Sequence, residues 1–242
     1  MKAMVLAAGL GTRLRPLTND RPKALVELHG RTLLDITLAR LRDFGIRDVI
    51  INVHHFADLV IDYLHANANF GMHIEISHEN LLLDTGGGLK KAADFFLQDR
   101  SEEPFVLHNV DVLSSVDLKQ MVQQHQQTGA LATLSVRARE SSRQLLFDLE
   151  GSLCGRRTGR NEVPELAREI DDPVPLAFDG IHVISPRLLR MITEEGAFPI
   201  IPVYLRLATQ GEMIQAFRSD QYYWRDLGNI ESLQRAESEW KT

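Results

Sequence analysis

A glycine-rich segment near the start of the chain carries several cationic side chains. Residues 6–23 read Leu-Ala-Ala-Gly-Leu-Gly-Thr-Arg-Leu-Arg-Pro-Leu-Thr-Asn-Asp-Arg-Pro-Lys. Gly9 and Gly11 let a ligand approach the backbone, and successive N–H groups can hold an anion. Arg13 and Lys23 add positive charge to a chain whose formal net charge is −6. The segment therefore predicts a loop that binds phosphate groups.

Two common nucleotide-binding loops are excluded by single positions. The dinucleotide fingerprint needs a third glycine where this chain has Leu14. The P-loop needs Gly-Lys-Ser or Gly-Lys-Thr, and no such triplet follows Gly11. A nicotinamide-dependent dehydrogenase is therefore excluded. A tight exit from a strand, surrounded by solvated arginines, is the alternative interpretation of this segment.

Two aspartates stand directly after strand-like segments. Asp111 follows the apolar run Phe105–His108, and Asp226 lies in Trp-Arg-Asp-Leu-Gly at 224–228. Carboxylate oxygens are ligands that Mg²⁺ prefers, and two carboxylates from distant segments can share one ion that bridges phosphates. The alternatives are a turn-forming aspartate for Asp111 and a residue near a helix N-terminus for Asp226.

The first half of the chain alternates short apolar runs with amphipathic stretches, which predicts a βαβα order. Strands are predicted at Ala3–Ala7, Val49–Val53, His73–Ser77, Phe105–His108 and Leu131–Val136, and helices at Leu33–Phe44, Phe56–Leu64, Gly88–Leu97 and Leu118–Gln127. This order indicates an α/β fold, a Rossmann-like mixed and mostly parallel sheet flanked by helices. Ligands of such folds bind beyond the carboxyl ends of the strands, here loops 8–23, 54–55, 78–87 and 109–113.

The second half is less regular, and residues 137–172 are polar and arginine-rich. Strands are predicted at Leu145–Leu149, Phe178–Ile184, Ile214–Phe217 and Tyr222–Trp224, and helices at Arg187–Thr193, Ile201–Thr209 and Ile230–Trp240 with Asn229 as its N-cap. We expect one domain over 1–242 with a small substrate-side insertion. Its parts are residues 1–136, residues 137–218, and a closing strand and helix at 219–242.

Composition excludes several classes of protein. The chain has 242 residues, of which 44% are hydrophobic and 25% charged, as in ordinary globular proteins. Its acidic balance argues against nucleic-acid binding. The single cysteine, Cys154, cannot form an intrachain disulfide and fits the reducing cytoplasm. No apolar run approaches the roughly 20 residues of a membrane span, so no membrane association is expected.

The motifs together resemble those of the sugar-1-phosphate nucleotidyltransferase family. The string from Leu6 to Lys23 matches the family signature almost without departure. The glycine-rich turn at 84–88, the aspartate after the fourth strand and the late Trp-x-Asp-x-Gly are also where the family has them. The resemblance implies the nucleotide-diphospho-sugar transferase fold, with 1–136 as the nucleotide-binding half and 137–218 as the sugar-phosphate-binding part. It also implies a reaction in which a nucleoside triphosphate and a sugar 1-phosphate give a nucleotide sugar and pyrophosphate.

The resemblance implies a role for each matching residue. Arg13 and Lys23 would be catalytic, and Asp111 and Asp226 would hold Mg²⁺. Arg143, Asp179 and Gly180 would contact the sugar phosphate. Nucleotide binding would fall to Leu6, Ala7, Ala8, Gly9, Gly11, Thr12, Arg13, Asp84, Thr85, Gly86 and Asn109. The bare glycines at 86–88 would let the base or ribose lie against a helix N-terminus.

The chain departs from the family pattern at two places. Val110 stands where the family usually has glycine before the metal aspartate, and a β-branched residue does not readily take positive φ. The Glu-Lys-Pro triplet that many members use near the sugar phosphate is missing from 137–175. The cations available there instead are Arg143, Arg156, Arg157, Arg160 and Arg168.

The compact length and the run Asp-Thr-Gly-Gly-Gly at 84–88 are most similar to the N-acetylmuramate 1-phosphate uridylyltransferases of the family. That resemblance implies UTP and an N-acetylmuramate-like sugar, acted on by a monomer or small homo-oligomer. The alternatives are a mannose-1-phosphate guanylyltransferase that uses GTP, and a nucleotide-binding regulatory module without turnover.

Overall fold

The computed structural model describes residues 1–159 and 162–240. The strands are β1 (Lys2–Leu6), β2 (Glu27–Leu28), β3 (Arg31–Thr32), β4 (Asp48–Val53), β5 (His73–His78), β6 (Phe105–Asn109), β7 (Val112–Ser114), β8 (Ala132–Arg137), β9 (Arg143–Phe147), β10 (Leu153–Thr158), β11 (Glu165–Leu166), β12 (Val174–Ile184), β13 (Ile214–Arg218) and β14 (Trp224–Asp226). The helices are α1 (Leu33–Asp43), α2 (Ala57–Ala66), α3 (Asp84–Lys91), α4 (Ala93–Leu97), α5 (Leu118–Thr128), α6 (Ile200–Thr209) and α7 (Ile230–Glu239). In the described ranges no helix is both long and apolar enough to cross a membrane.

Side-chain caps start several helices where the sequence offers a short polar residue. The Thr32 hydroxyl accepts a hydrogen bond from the Asp35 N–H at the start of α1. Asn229 caps α7 by accepting from the Ser232 N–H, which confirms the predicted N-cap. Such caps satisfy backbone donors that a helix N-terminus leaves unpaired.

A sheet of ten strands has the order β11-β10-β9-β12-β6-β1-β4-β5, with β8 beside β12 and β13 beside β8. Strands β6, β1, β4 and β5 run parallel, and β12 joins β6 in the antiparallel sense. This arrangement confirms the predicted mixed sheet, with four parallel strands side by side at one end of it. The carboxyl ends of β1, β4 and β6 consequently meet at one edge.

Alternating side chains of the central strands enter two hydrophobic cores. Along β1, Ala3 and Val5 face one core, while Met4 faces the other. The first core also contains apolar residues of α1, α2, α5 and α7, and the second those of α3, α4 and α6. Helices therefore cover both faces of the sheet. This explains why the strands are continuous apolar runs rather than half-polar ones.

Several predicted boundaries were wrong. The helix predicted at Gly88–Leu97 begins at Asp84 and is divided into α3 and α4. Three consecutive glycines disfavour a helix by about 1 kcal/mol each, so local propensity argued against this start. The predicted helix Arg187–Thr193 is a 3₁₀ segment at Pro186–Met191. β10 was missed because it lacks a clean alternation.

Candidate active site

A cavity of about 470 Å³ opens at the carboxyl ends of β1, β4 and β6. Predicted site residues that line it are Leu6, Ala7, Ala8, Gly9, Lys23, Asp84, Thr85, Asn109 and Asp111. Residues that the sequence argument missed are Asn52, Glu79, Leu82 and Ala197, and Val110 also lines the cavity. The loops expected to bind the ligand thus do converge, except that 54–55 stays off the cavity wall.

Lys23 and Asp111 form an ion pair at the cavity wall, although 88 residues separate them in the chain. Lys23 begins a short 3₁₀ turn after Pro22, and Asp111 follows β6. Both side chains are largely buried, with exposed fractions of 11% and 16%. A salt bridge shielded in this way is screened less than one on the surface. The pair places a positive and a negative group together where a phosphate and a metal ion could enter.

Gly11 shapes the glycine loop. Its φ of +64° lies in the left-handed region that favours glycine. A Cβ there would also lie 3.0 Å from Thr18 Cγ2 and 3.2 Å from Lys23 Cβ. The Thr18 hydroxyl donates a hydrogen bond of 2.8 Å to the Gly11 carbonyl. Gly11 therefore lets the loop fold back onto the base of Lys23.

Asp226 and Arg13 both lie close to Gly228, beside the same edge of the sheet. β14 pairs with β7, and the Leu227 N–H donates to the Asp111 carbonyl at 2.8 Å, which brings the two predicted metal ligands to adjoining positions. The Asp226 carboxylate accepts a hydrogen bond of 2.6 Å from the Gly228 N–H. A Cβ at Gly228 would lie 2.7 Å from Arg13 Nη2. Arg13, Thr12, Gly11 and Asp226 thus flank the cavity without lining it.

The glycines at 86–88 pack closely against other parts of the protein. The N–H groups of Gly86 and Gly87 donate to the Phe198 carbonyl at 2.9 and 3.1 Å. A Cβ at Gly86 would lie 2.5 Å from the Phe198 ring. The Thr85 hydroxyl accepts from the Ile200 N–H at 3.0 Å and so caps α6. The amide N–H of Gly86 therefore has its partner inside the protein.

Asp179, which was predicted to contact the sugar phosphate, is buried and bonded within the protein. It is 1% exposed and accepts hydrogen bonds from Ser135 Oγ at 3.0 Å, Arg137 Nε at 3.1 Å and Ser219 Oγ. Burial raises the pKa of this carboxyl group, while the hydroxyls and Arg137 oppose the rise. Gly180, at a φ of +80°, lies against the Asn109 side chain but does not line the cavity.

Arg143, which was predicted to contact the sugar phosphate, is exposed at the start of β9 and does not line the cavity. Three other candidate arginines have partners within the protein. Arg156 pairs with Glu165, Arg157 donates to Gln144, and Arg168 donates to two backbone carbonyls. Arg160 lies outside the described residues.

Two cations at the carboxyl end of β8 were missed by the sequence argument. The guanidinium carbons of Arg137 and Arg139 lie 5.3 and 4.5 Å from the ring centroid of Trp224. Burial lowers the pKa of Arg139, whose Nε is buried and has no hydrogen-bond partner. Their position at a strand end is the signal that could have identified them.

His108, directly before Asn109, is buried beneath the site. Its Nδ1 lies 2.8 Å from the Asn109 carbonyl, and its Nε2 has no partner. Burial lowers the pKa of His108 to about 4, and the nearby charge of Arg40 contributes to this lowering. The ring is consequently neutral at pH 7.

The fold and the cavity define an α/β protein whose candidate site lies at the carboxyl ends of parallel strands. A solved structure of UDP-glucose pyrophosphorylase complexed with UDP-glucose covers 98% of this chain and 97% of its own, with a TM-score of 0.77 and 19% identity. That likeness shows the fold, which is the nucleotide-diphospho-sugar transferase fold.

Sequence comparison then gives the family. The family model described as Nucleotidyl transferase matches residues 2–146. The N-acetylmuramate alpha-1-phosphate uridylyltransferase of Caulobacter vibrioides is 34% identical over 245 residues, which cover 98% of this chain and 95% of that protein. The catalytic subunit beta of mannose-1-phosphate guanylyltransferase from Danio rerio is 30% identical, and the match spans 94% of this chain but only 61% of that protein. The chain therefore belongs to the sugar-1-phosphate nucleotidyltransferase family of enzymes.

Proposed function

We propose that this enzyme joins UTP to an N-acetylmuramate-like sugar 1-phosphate, giving a UDP-sugar and pyrophosphate. The observation that carries the proposal is the Lys23–Asp111 pair on the wall of a cavity bordered by the glycine loop. A point positive charge beside a carboxylate suits a triphosphate that arrives with a divalent metal ion.

The protein would act mainly by positioning its substrates and neutralising their charge. Backbone groups around Ala8 and Gly9 would hold the nucleotide, Arg13 its outer phosphates, and Lys23 the α-phosphate. An oxygen of the sugar phosphate attacks the α-phosphorus and forms the new P–O bond. The bond from the α-phosphorus to the bridging oxygen breaks, and pyrophosphate leaves with the electron pair. The attacking oxygen is already ionised at neutral pH, so the step needs no general base.

Mg²⁺ fits the residues present. This ion is commonly bound by one or two carboxylates together with substrate phosphates. Asp111 and Asp226 offer two carboxylates from neighbouring segments, which the hydrogen bond from the Leu227 N–H to the Asp111 carbonyl holds together. In the described part of the chain no group of three or more His, Cys, Asp or Glu side chains converges, so a cage made by protein ligands alone is absent there. Bound Mg²⁺ would supply charge neutralisation at the phosphates.

The choice of UTP and an N-acetylmuramate-like sugar is supported by the uridylyltransferase of Caulobacter vibrioides, which this chain matches over 95% of that protein's length. The guanylyltransferase subunit is matched over a smaller share of its length. We further propose that the chain works as one domain, because strands from 1–136 and 137–218 share one sheet. We also propose that the protein is cytoplasmic, because its single cysteine cannot form an intrachain disulfide.

The test is a matrix of four nucleoside triphosphates against several sugar 1-phosphates, with Mg²⁺ and the purified protein. Pyrophosphate release and the mass of the nucleotide sugar are measured for each pair. We expect the highest kcat/KM for UTP with N-acetylmuramate 1-phosphate. A preference for GTP with mannose 1-phosphate would contradict the proposed substrates. No pyrophosphate from any pair would contradict turnover itself and favour a binding module.

A further inference from the structure

A chain of three hydrogen bonds connects β1, β4 and the segment after β5 behind the cavity. The Ala7 N–H donates to Asn52 Oδ1 at 2.7 Å, and Asn52 Nδ2 donates to Glu79 Oε1 at 2.7 Å. Glu79 Oε2 accepts from the Leu83 N–H at 2.9 Å. Asn52 and Glu79 are 3% and 1% exposed, yet both line the cavity.

The donor-to-acceptor direction of these three hydrogen bonds is fixed at both ends of the series. The backbone N–H groups of Ala7 and Leu83 can only donate, so Asn52 must turn its oxygen toward Ala7 and its amide nitrogen toward Glu79. Glu79 must then accept at both oxygens, which an ionised carboxylate does and a neutral amide cannot.

The hydrogen-bonded side chains lie directly against the backbone of Gly88. A Cβ at Gly88 would lie 2.8 Å from Glu79 Oε1 and 2.9 Å from Asn52 Nδ2. The backbone of Glu79 is also held, because its N–H donates to the Val53 carbonyl at 2.7 Å and its carbonyl lies 2.8 Å from His54 Nδ1. The backbone and both carboxylate oxygens of Glu79 therefore have partners within the protein.

These bonds hold the parts of the wall that the proposed function gives to the nucleotide. Ala7 begins the glycine loop, and Leu83 ends the segment that includes Leu82 of the cavity lining. The polar atoms of Asn52 and Glu79 are thus used to hold these parts of the wall together. We propose that Asn52 and Glu79 are positioning residues that set the nucleotide end of the cavity, an inference that rests on the proposed function.

The test uses the fixed donor-to-acceptor direction of these hydrogen bonds. Glu79→Gln places an NH₂ group against either Asn52 Nδ2 or the Leu83 N–H, and Asn52→Asp places a second buried carboxylate against Glu79. The double variant Asn52→Asp with Glu79→Gln restores all three hydrogen bonds, with the middle one reversed. The new carboxylate at position 52 would accept from the Ala7 N–H and from the new amide at position 79, whose oxygen would accept from the Leu83 N–H. The net charge of the double variant equals that of the parent.

We expect each single variant to raise the KM for UTP at least tenfold, while the KM for the sugar 1-phosphate stays within twofold. The double variant should return the KM for UTP to within threefold of the parent. His125→Gln is the matched control, because His125 is a buried polar residue bonded to Thr133 and Ser185, and it does not line the cavity. It should lower thermal stability and leave both KM values unchanged.

The outcomes separate the two proposals. An active parent enzyme whose single variants lose stability but keep the KM for UTP would overturn the inference and leave the proposed function intact. A double variant no better than Glu79→Gln would also overturn it, even if the single variants fold poorly. A parent that neither binds UTP in titration calorimetry with Mg²⁺ nor releases pyrophosphate would contradict both.

Discussion

Replacing Val110 by glycine changes a side chain that belongs both to the core and to the cavity wall. Val110 is 4% exposed and packs in the core that contains α1. Its N–H donates to the Leu6 carbonyl at 3.1 Å, and its φ is not positive. The backbone before Asp111 is therefore ordinary and has no need of glycine.

The expected loss of stability follows from this burial. Removing a fully buried valine side chain costs about 1.5–3 kcal/mol, and glycine adds about 0.5–1 kcal/mol of backbone entropy. We expect the free energy of unfolding to fall by about 3 kcal/mol. For a chain of this size each kcal/mol lowers Tm by about 2–4 °C, so Tm should fall by about 6–12 °C.

The range of sugar 1-phosphates that the enzyme accepts should change, while its choice of nucleotide should not. If Val110 limits the space beside Asp111, the Val110→Gly enzyme should accept bulkier sugar 1-phosphates with unchanged preference for the nucleotide. Val112→Ala is the matched control, because Val112 is buried in the same core but does not line the cavity. It should lower Tm without widening the range of sugars.

The assay combines thermal unfolding followed by circular dichroism with kcat/KM for a series of sugar 1-phosphates. A Val110→Gly protein whose Tm lies within about 2 °C of the parent would refute the burial argument, on the scale of about 2–4 °C for each kcal/mol. An unchanged range of sugars, together with the expected loss in Tm, would show that Val110 acts only through the core.

Three further predictions concern charge. Arg13→Ala should lower kcat/KM through a loss of about 2–4 kcal/mol in transition-state stabilisation, and a value within twofold of the parent would remove Arg13 from the site. Asp111→Asn and Asp226→Asn should each remove most activity while circular dichroism stays unchanged; full activity in excess Mg²⁺ would exclude that aspartate as a ligand. Burial lowers the pKa of His108, His125 and His182 from the ordinary value of 6.5, and that of His125 falls to about 4. These histidines therefore take up protons when the protein unfolds. The free energy of unfolding should therefore fall as the pH drops from 6.5 toward 4, by about 1.4 kcal/mol per pH unit for each histidine, and His125→Gln should make this slope shallower in urea titrations at several pH values.

The order of the elements and the region of the site could be predicted from the sequence. Apolar runs such as Val49–Val53 report burial on both faces of a sheet, and this signal is local to the run. The signature from Leu6 to Lys23 likewise lies in one continuous segment. Because parallel strands end at a common edge, placing the loops after β1 and β6 also placed the cavity.

The partners of individual side chains were decided only by the tertiary structure. Nothing near Asp179 in the chain shows that Ser135 and Ser219 take up its carboxylate, and nothing near Gly86 shows that Phe198 packs on it. Asn52 and Glu79 are separated by 27 residues in the chain, and only the folded structure shows that they are hydrogen-bonded to each other. A hydrogen bond depends on the distance between two atoms in space. The local pattern of residue types predicts whether a residue is buried, but it does not identify the distant group that contacts it.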